Sequence, residues 1–259
     1  MLIHGAWQGA WAFAAWTPLL AARGWVPHAV DLPGNGWGAT ADAPADLARY
    51  TQQVVDVIDG IGEPVVVLGH SGGGITASQV AEALPDRVLA VVYLAGMMLP
   101  SGLSYGELVR DAAAEAPGED FAGITPYLEW NASRSHSRVR PDGALRCFVH
   151  DCDAAAARDA VGLLRPQPET GRDMRNHLSA ERFGRVPRLY VECSDDRSVL
   201  PALQRRMQRL SPGAQRLVLD VGHVPQLAQP ALLTALLCPA LEMLVPSRSP
   251  SSSPSQEMP

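Results

Sequence analysis

Short, continuous runs of apolar residues recur along the chain and predict the strands of a buried sheet. They are rich in valine, isoleucine and leucine and do not alternate with polar residues, a pattern typical of parallel strands covered on both faces. The run at the start has only three residues, against about five or six in an ordinary strand. Strands are predicted at residues 1–3, 26–32, 65–68, 88–94, 186–193 and 217–219.

Between these runs, apolar residues recur with a helical period. In the stretch 47–61 they fall on one face of an amphipathic helix, and Pro85 ends the helix that follows the third strand. Helices are predicted at 11–22, 47–61, 75–84 and 230–244. Because strands and helices alternate, the chain is predicted to form an α/β fold around a mostly parallel, doubly wound sheet.

This alternation stops between residues 101 and 183. The segment holds alanine-rich helical pieces, prolines and polar loops, and it is too long for one connection in a compact sheet. We therefore predict a core from residues 1–100 and 184–245, with residues 101–183 inserted as a helical cap. Residues 246–259 are rich in serine and proline and are predicted to be a disordered tail. Aromatic residues of the cap are expected to roof an apolar pocket: Tyr105, Phe121, Tyr127, Trp130 and Phe148.

Composition narrows the possible partners. The 259 residues carry a net charge of −6, which argues against nucleic acid because phosphate binding needs clustered cations. No apolar run approaches the ~18 residues of a membrane span. The four cysteines show no disulfide framework spacing, so we predict reduced thiols in a cytoplasmic protein. The segment 147–153 mixes cysteine, histidine and aspartate too closely for a tetrahedral metal site, and no metal is expected.

The strand at 65–68 leads into Gly69-His70-Ser71-Gly72-Gly73, which fits the pattern G-x-S-x-G. A strand before this pattern and a helix after it are the context of a nucleophile elbow, in which a strained turn exposes the serine hydroxyl above the sheet. Gly69 and Gly73 are expected to permit close backbone approach, since a Cβ would clash there. Ser71 is therefore the predicted nucleophile.

A serine hydroxyl needs a base to remove its proton and an acid to orient that base. His223 follows the last predicted strand in a Gly-His turn, and Asp196 follows the strand before it. The order serine, acid, histidine is that of α/β-hydrolases. Asp195 and Asp220 are rival acids: Asp220 is so near His223 in sequence that turn capping suits it better, and Asp195 would point the other way along its loop.

The first strand ends in His4-Gly5-Ala6-Trp7, called the H-G loop below. Such a loop can supply a backbone N–H to an oxyanion hole, although it can equally be a plain glycine turn. With Ser71 nearby, Ala6 and Gly72 are the predicted donors. Met97 follows the strand at 88–94, so it is either a pocket wall or core filler. The predicted substrate pocket comprises Trp7, His70, Met97 and Trp130.

Taken together, these motifs resemble the small α/β-hydrolases that include plant methyl-ester esterases of the methyl salicylate and methyl jasmonate type, bacterial esterase relatives and plant hydroxynitrile lyases. The resemblance covers about residues 1 to 245 and rests on the H-G loop, the elbow, Cys193-Ser194-Asp195-Asp196-Arg197 and Gly222-His223. It implies an α/β-hydrolase fold, Ser71, His223 and Asp196 as catalytic residues, and no cofactor.

The resemblance implies a serine carboxylesterase that hydrolyses small or aromatic esters, such as methyl or aryl esters, through an acyl-enzyme. Such a protein would act on a small-molecule ester as a monomer or homodimer. Two departures matter for the lyase alternative. The lyases carry threonine where this chain has Ala6, and a lysine just after the histidine, where it has Val224. The other alternative is a non-catalytic receptor for small ligands, against which the complete set of catalytic groups argues.

Overall fold

The computed structural model describes residues 1–38 and 43–245; the predicted tail at 246–259 lies outside them. Nine strands occur in the described part of the chain: β1 Leu2–Ile3, β2 Ala29–Val30, β3 Val65–His70, β4 Val88–Leu94, β5 Leu128–Trp130, β6 His136–Val139, β7 Gln167–Pro168, β8 Arg188–Cys193 and β9 Ala214–Leu219. The helices there are α1 Thr17–Ala21, α2 Leu47–Ile61, α3 Gly73–Ala83, α4 Tyr105–Glu115, α5 Pro141–Cys147, α6 Ala154–Leu163, α7 Pro201–Leu210, α8 Pro225–Ala228 and α9 Pro230–Leu244.

Six strands form the central sheet, in the order β2-β1-β3-β4-β8-β9. Every neighbouring pair is parallel. The chain moves outward from β1 to β2 in one direction and from β3 to β9 in the other, so the topological switch lies between β1 and β3. Ligands bind at this point in open α/β sheets, beyond the carboxyl ends of the strands. The H-G loop and the elbow are the segments that follow these two strands.

Helices cover the sheet on both faces, as a doubly wound fold requires. Side chains of α2, α3 and α7 share one apolar cluster with the sheet, and those of α1 and α9 share another. The predicted α/β architecture is therefore confirmed. None of the described helices is both long and apolar enough to cross a membrane.

Prolines account for three of the differences between predicted and observed boundaries. The predicted helix at 11–22 is a 3₁₀ turn, Ala10–Phe13, followed by α1, because Pro18 fits only the first turn of an α-helix. The strand predicted at 26–32 is reduced to Ala29–Val30 beyond Pro27, which has no N–H for the ladder. Likewise, β8 begins after Pro187. The edge strand β9 begins three residues earlier than predicted; the apolar pattern missed this part because Gln215 and Arg216 are polar and exposed.

The inserted segment is not wholly helical, which corrects the predicted helical cap. Besides α5 and α6 it holds an antiparallel sheet, β5-β6-β7, called the cap sheet below. Its strands have two to four residues and are too short to leave a periodic apolar pattern. In addition, α4 packs against α7, and its Leu108 belongs to an apolar cluster of the core. The first helix after residue 100 is thus packed as part of the core.

The elbow glycines lie where backbone segments almost touch, as the sequence predicts. A Cβ added at Gly69 would lie 2.4 Å from the Gly73 carbonyl oxygen, and one at Gly73 would lie 2.5 Å from the Ile3 oxygen. Both approaches are to backbone, which cannot move aside as a flexible side chain would. Gly69 and Gly73 therefore let β1, β3 and α3 pack closely around the elbow.

We expect Gly69→Ala to lower the free energy of unfolding by about 3 kcal/mol or more, toward the upper end of overpacking costs. Gly60→Ala is the matched control, since a Cβ at Gly60 on α2 meets nothing within 4 Å. In this helical position alanine should instead stabilise the protein by about 0.5–1 kcal/mol. Urea unfolding of both variants measures the difference. Equal stability of the two variants would contradict the close packing at the elbow.

Candidate active site

Ser71 lies in the tight turn between β3 and α3. Its φ angle is +52°, in the left-handed region that costs a non-glycine residue about 1–3 kcal/mol. Backbone bonds on both sides hold this conformation: Ser71 N donates to the Leu94 oxygen at 3.2 Å, and the Ser71 oxygen accepts from Met97 N at 2.8 Å. The side chain faces a cavity, and the residue is 8% exposed. This is the geometry of a nucleophile elbow.

Asp196 and His223 form a buried pair. His223 Nδ1 lies 2.8 Å from Asp196 Oδ2, and the two residues are only 1% and 2% exposed. Asp196 Oδ1 also accepts hydrogen bonds from the backbone N–H groups of Ser198 and Val199, at 2.7 and 3.0 Å. Gln204 Nε2 donates to Oδ2 at 3.0 Å. The carboxylate is thus fixed by four donors, and it fixes the imidazole in turn.

The rival acids bond elsewhere. Asp195 Oδ2 pairs with His150 Nε2 at 2.9 Å and lies 3.5 Å from the Arg197 guanidinium. Asp220 Oδ1 accepts from the Ser194 hydroxyl at 2.7 Å, a contact within the turns that follow β8 and β9. Of the three aspartates, Asp196 is the one the structure brings to His223.

His70 does not lie where the predicted pocket put it. It is wholly buried and does not line the cavity. Its Nε2 donates to the His223 carbonyl oxygen at 2.8 Å, and its Nδ1 is 3.1 Å from the Gln8 amide. Burial, reinforced by the neighbouring His223, holds the pKa of His70 well below 6.5. A neutral His70 therefore supports the loop that carries His223. Its side chain leaves the end of β3 on the side away from the cavity.

No hydrogen bond joins Ser71 Oγ to His223 among the described residues. Such bonds are often long in unliganded enzymes and tighten when substrate binds. The ring of Phe148, in the inserted segment, stacks on the His223 imidazole with the two centroids 5.3 Å apart. Phe148 was predicted to roof the pocket, and it lies instead over the histidine.

The H-G loop packs directly against the elbow. A Cβ added at Gly5 would lie 2.7 Å from Ser71 Cβ, and one at Gly72 would lie 3.9 Å from Ala6 N. Gly72 is the N-cap of α3, so its N–H is among the helix donors without an intrahelical acceptor. Within residues 1–38 and 43–245, neither Ala6 N nor Gly72 N donates a hydrogen bond. Two free N–H groups thus stand beside Ser71.

A cavity of about 400 Å³ opens in front of Ser71 and Gly72. Three of the four predicted pocket residues, Trp7, Met97 and Trp130, line it. Sequence reasoning missed Gln204, which orients Asp196, and Gln167, which reaches the H-G loop; a single glutamine carries no motif that could have revealed either. Apolar side chains from the core and the inserted segment form much of the remaining wall: Leu32, Tyr105, Val109, Phe121, Ile124 and Met174.

Comparison with known proteins agrees with this geometry. A model described as the alpha/beta hydrolase family matches residues 1–236. A pyrethroid hydrolase from Sphingobium wenxiniae is 29% identical over 241 residues, which cover 90% of this chain and 84% of that protein. Methylesterase 7 of Arabidopsis thaliana is 27% identical, with 92% and 94% covered.

Among solved structures, a pyrethroid hydrolase from Sphingobium faniae superposes with a TM-score of 0.81 at 27% identity. The alignment covers 94% of this chain and 95% of that one. Polyneuridine aldehyde esterase, at 24% identity and a TM-score of 0.76, shares the fold. The predictions of the fold and of a hydrolase are confirmed, and the chain belongs to the alpha/beta hydrolase family.

Proposed function

We propose that this enzyme is a serine carboxylesterase that hydrolyses small or aromatic esters, with Ser71 as nucleophile, His223 as general base and Asp196 as its orienting acid. The observation that carries the proposal is one cavity lined by the strained Ser71 and by the free N–H groups of Ala6 and Gly72. The buried Asp196–His223 pair adjoins this site, because His70, the residue before Ser71, is bonded through Nε2 to the His223 carbonyl oxygen at 2.8 Å. Each feature has a defined task in acyl transfer.

In the first half-reaction, Ser71 Oγ attacks the ester carbonyl carbon while His223 Nε2 takes the hydroxyl proton. The carbonyl oxygen becomes an oxyanion and accepts hydrogen bonds from Ala6 N and Gly72 N. Collapse of the tetrahedral intermediate breaks the bond to the alcohol oxygen, which leaves with the proton held by His223. Asp196 keeps the proton on Nδ1 and stabilises the imidazolium between these two transfers.

In the second half-reaction, water replaces the alcohol. His223 takes a proton from the water as its oxygen attacks the acyl carbon, and the same two N–H groups hold the second oxyanion. Breaking the Ser71 Oγ–acyl bond then releases the carboxylic acid, and Oγ recovers its proton from His223. Ser71 is regenerated, so one ester and one water give one acid and one alcohol.

The substrate class is argued from the cavity. Its walls are mainly apolar and aromatic, and its volume of about 400 Å³ suits a small ester or one aromatic ring with its substituents. The names of similar proteins, a methylesterase and pyrethroid hydrolases, point to carboxylic esters. A hydroxynitrile lyase remains the less favoured reading, because position 224 is a buried valine in an apolar cluster rather than a lysine.

Hydrolysis of p-nitrophenyl acetate and of a panel of methyl aryl esters tests the proposal. A fluorophosphonate should label the protein once, and mass spectrometry should locate the label on Ser71. Labelling without turnover of any ester would favour a lyase of the same fold. Folded protein that is neither labelled nor active would overturn the esterase and favour a receptor.

A further inference from the structure

Trp7, the residue after the expected oxyanion donor Ala6, has an unusual backbone. Its φ angle is +62°, in the left-handed region that favours glycine, and tryptophan has no side-chain oxygen to stabilise that conformation locally. Something outside the H-G loop must therefore hold it there. The contacts of Trp7 identify the inserted segment as that support.

Four residues of the inserted segment contact Trp7. Gln167 Oε1 on β7 accepts from Trp7 N at 3.2 Å, and Arg165 N donates to the Trp7 oxygen at 3.0 Å. The indole Nε1 donates to the backbone and hydroxyl oxygens of Ser137 on β6, both at 3.2 Å. The Arg172 guanidinium lies over the indole ring, 4.7 Å from its centroid. Both peptide groups of Trp7 and its side chain are thus bonded to this segment.

Gln167 is itself held in one orientation. It is 1% exposed, and its Nε2 donates to Tyr50 Oη of α2 at 2.8 Å. Tyr50 in turn donates to Asn35 Oδ1 at 3.1 Å. Because the amide nitrogen is engaged by the core, the amide oxygen must face Trp7. The glutamine therefore joins β7, α2 and the H-G loop in one buried chain of hydrogen bonds.

We propose that Gln167 is a positioning residue: by holding Trp7 N it fixes the orientation of the neighbouring Ala6 N–H, the expected oxyanion donor. Ala6 Cα joins two peptide planes: one carries the N–H expected to bind the oxyanion, and the other carries the N–H bonded to Gln167. Fixing the second plane limits the rotation available to the first. The inference rests on the proposed function and extends it, since it makes the inserted segment part of the apparatus that stabilises the transition state.

Gln167→Met tests this role, because methionine is similar in length and removes the acceptor. Loss of a whole oxyanion donor costs about 10²–10³ in kcat, so a displaced donor should cost roughly 10- to 100-fold. The KM for p-nitrophenyl acetate should change less than about threefold, because the uncharged ester makes little use of these N–H groups before reaction.

Gln79→Met is the matched control. Gln79 on α3 also bridges core and insertion through one amide, donating to the His177 oxygen at 3.3 Å and accepting from His177 N at 2.9 Å. It does not touch the H-G loop. If Gln167 acts on the oxyanion hole, Gln79→Met keeps wild-type kcat. Equal losses in both variants would mean that general anchoring of the insertion matters, and would overturn the proposal.

Two ketone inhibitors distinguish positioning of the oxyanion donor by Gln167 from packing of Gln167 against the substrate. The carbonyl of 2,2,2-trifluoroacetophenone can add Ser71 and form an oxyanion, whereas acetophenone binds without adding. Gln167→Met should weaken inhibition by the first compound about 10- to 100-fold, in step with kcat/KM, and leave acetophenone within twofold. Equal weakening of both, or a change in KM alone, would assign Gln167 to substrate packing and overturn the proposal.

Tyr50→Phe provides a second variant if Gln167→Met does not fold. It removes the hydroxyl that orients the glutamine and keeps the acceptor, so a smaller loss of about three- to tenfold in kcat is expected, again with KM nearly unchanged. An unchanged kcat in a folded variant would count against the proposal. Failure of the esterase function is distinguishable, because the wild-type protein would then show neither ester turnover nor a labelled Ser71.

Discussion

Ser71→Ala should lower kcat for p-nitrophenyl acetate by about 10⁴- to 10⁶-fold, the range expected when the nucleophile of a serine hydrolase is removed. The substitution takes away only Oγ. The cavity, the Asp196–His223 pair and the backbone N–H groups stay in place, and they account for any activity that remains. Initial rates, measured beside fluorophosphonate labelling, check both parts of the prediction, since labelling should disappear together with turnover.

Ser78→Ala is a suitable control for this experiment. Ser78 is also a buried serine of the same region, but its hydroxyl bonds to the Gly74 oxygen and the Tyr93 hydroxyl within α3 and β4. It does not line the cavity, so its removal should leave kcat within about threefold. Should Ser71→Ala keep a tenth or more of wild-type activity, or remain labelled, the nucleophile would have to be another residue.

The placement of the candidate catalytic residues could be predicted because it depends on topology. Ser71, Asp196 and His223 each follow a strand of one parallel sheet, and the carboxyl ends of such strands lie along the same edge. Motif and order were therefore enough to anticipate that Asp196 meets His223. The elbow glycines were predictable for a related reason: a strand and a helix joined by so tight a turn leave no room for a Cβ.

The sequence-based predictions that were wrong or missing concern features set by tertiary packing. The strands of the cap sheet have only two to four residues, and they are held by each other rather than by a pattern within any one segment. His70 was assigned to the pocket because it neighbours Ser71, but successive residues of a strand point to opposite faces, and His70 is the last residue of β3. Gln167 and Gln204 are single glutamines whose roles come from residues 160 and 8 positions away.

Asp196→Asn should lower kcat by about 10⁴-fold, as expected when the orienting carboxylate of a catalytic triad becomes an amide. Asp196 now meets donors only: His223 Nδ1, two backbone N–H groups and Gln204 Nε2. An asparagine must turn its own NH₂ toward some of them. If that group faces His223, Nδ1 becomes an acceptor and the proton moves to Nε2, which can then no longer accept the Ser71 proton.

Asp195→Asn is the neighbouring control, because its carboxylate bonds to His150 and is half-exposed. It should keep kcat within about threefold. Asp196→Asn should also slow fluorophosphonate labelling in proportion to kcat, since both reactions need the same base, and a melting curve would show whether the variant is folded. If Asp195→Asn loses activity while a folded Asp196→Asn keeps it, the orienting acid is Asp195. In that case His223 must turn away from the buried partner it has here, and the observed 2.8 Å contact is not the catalytic one.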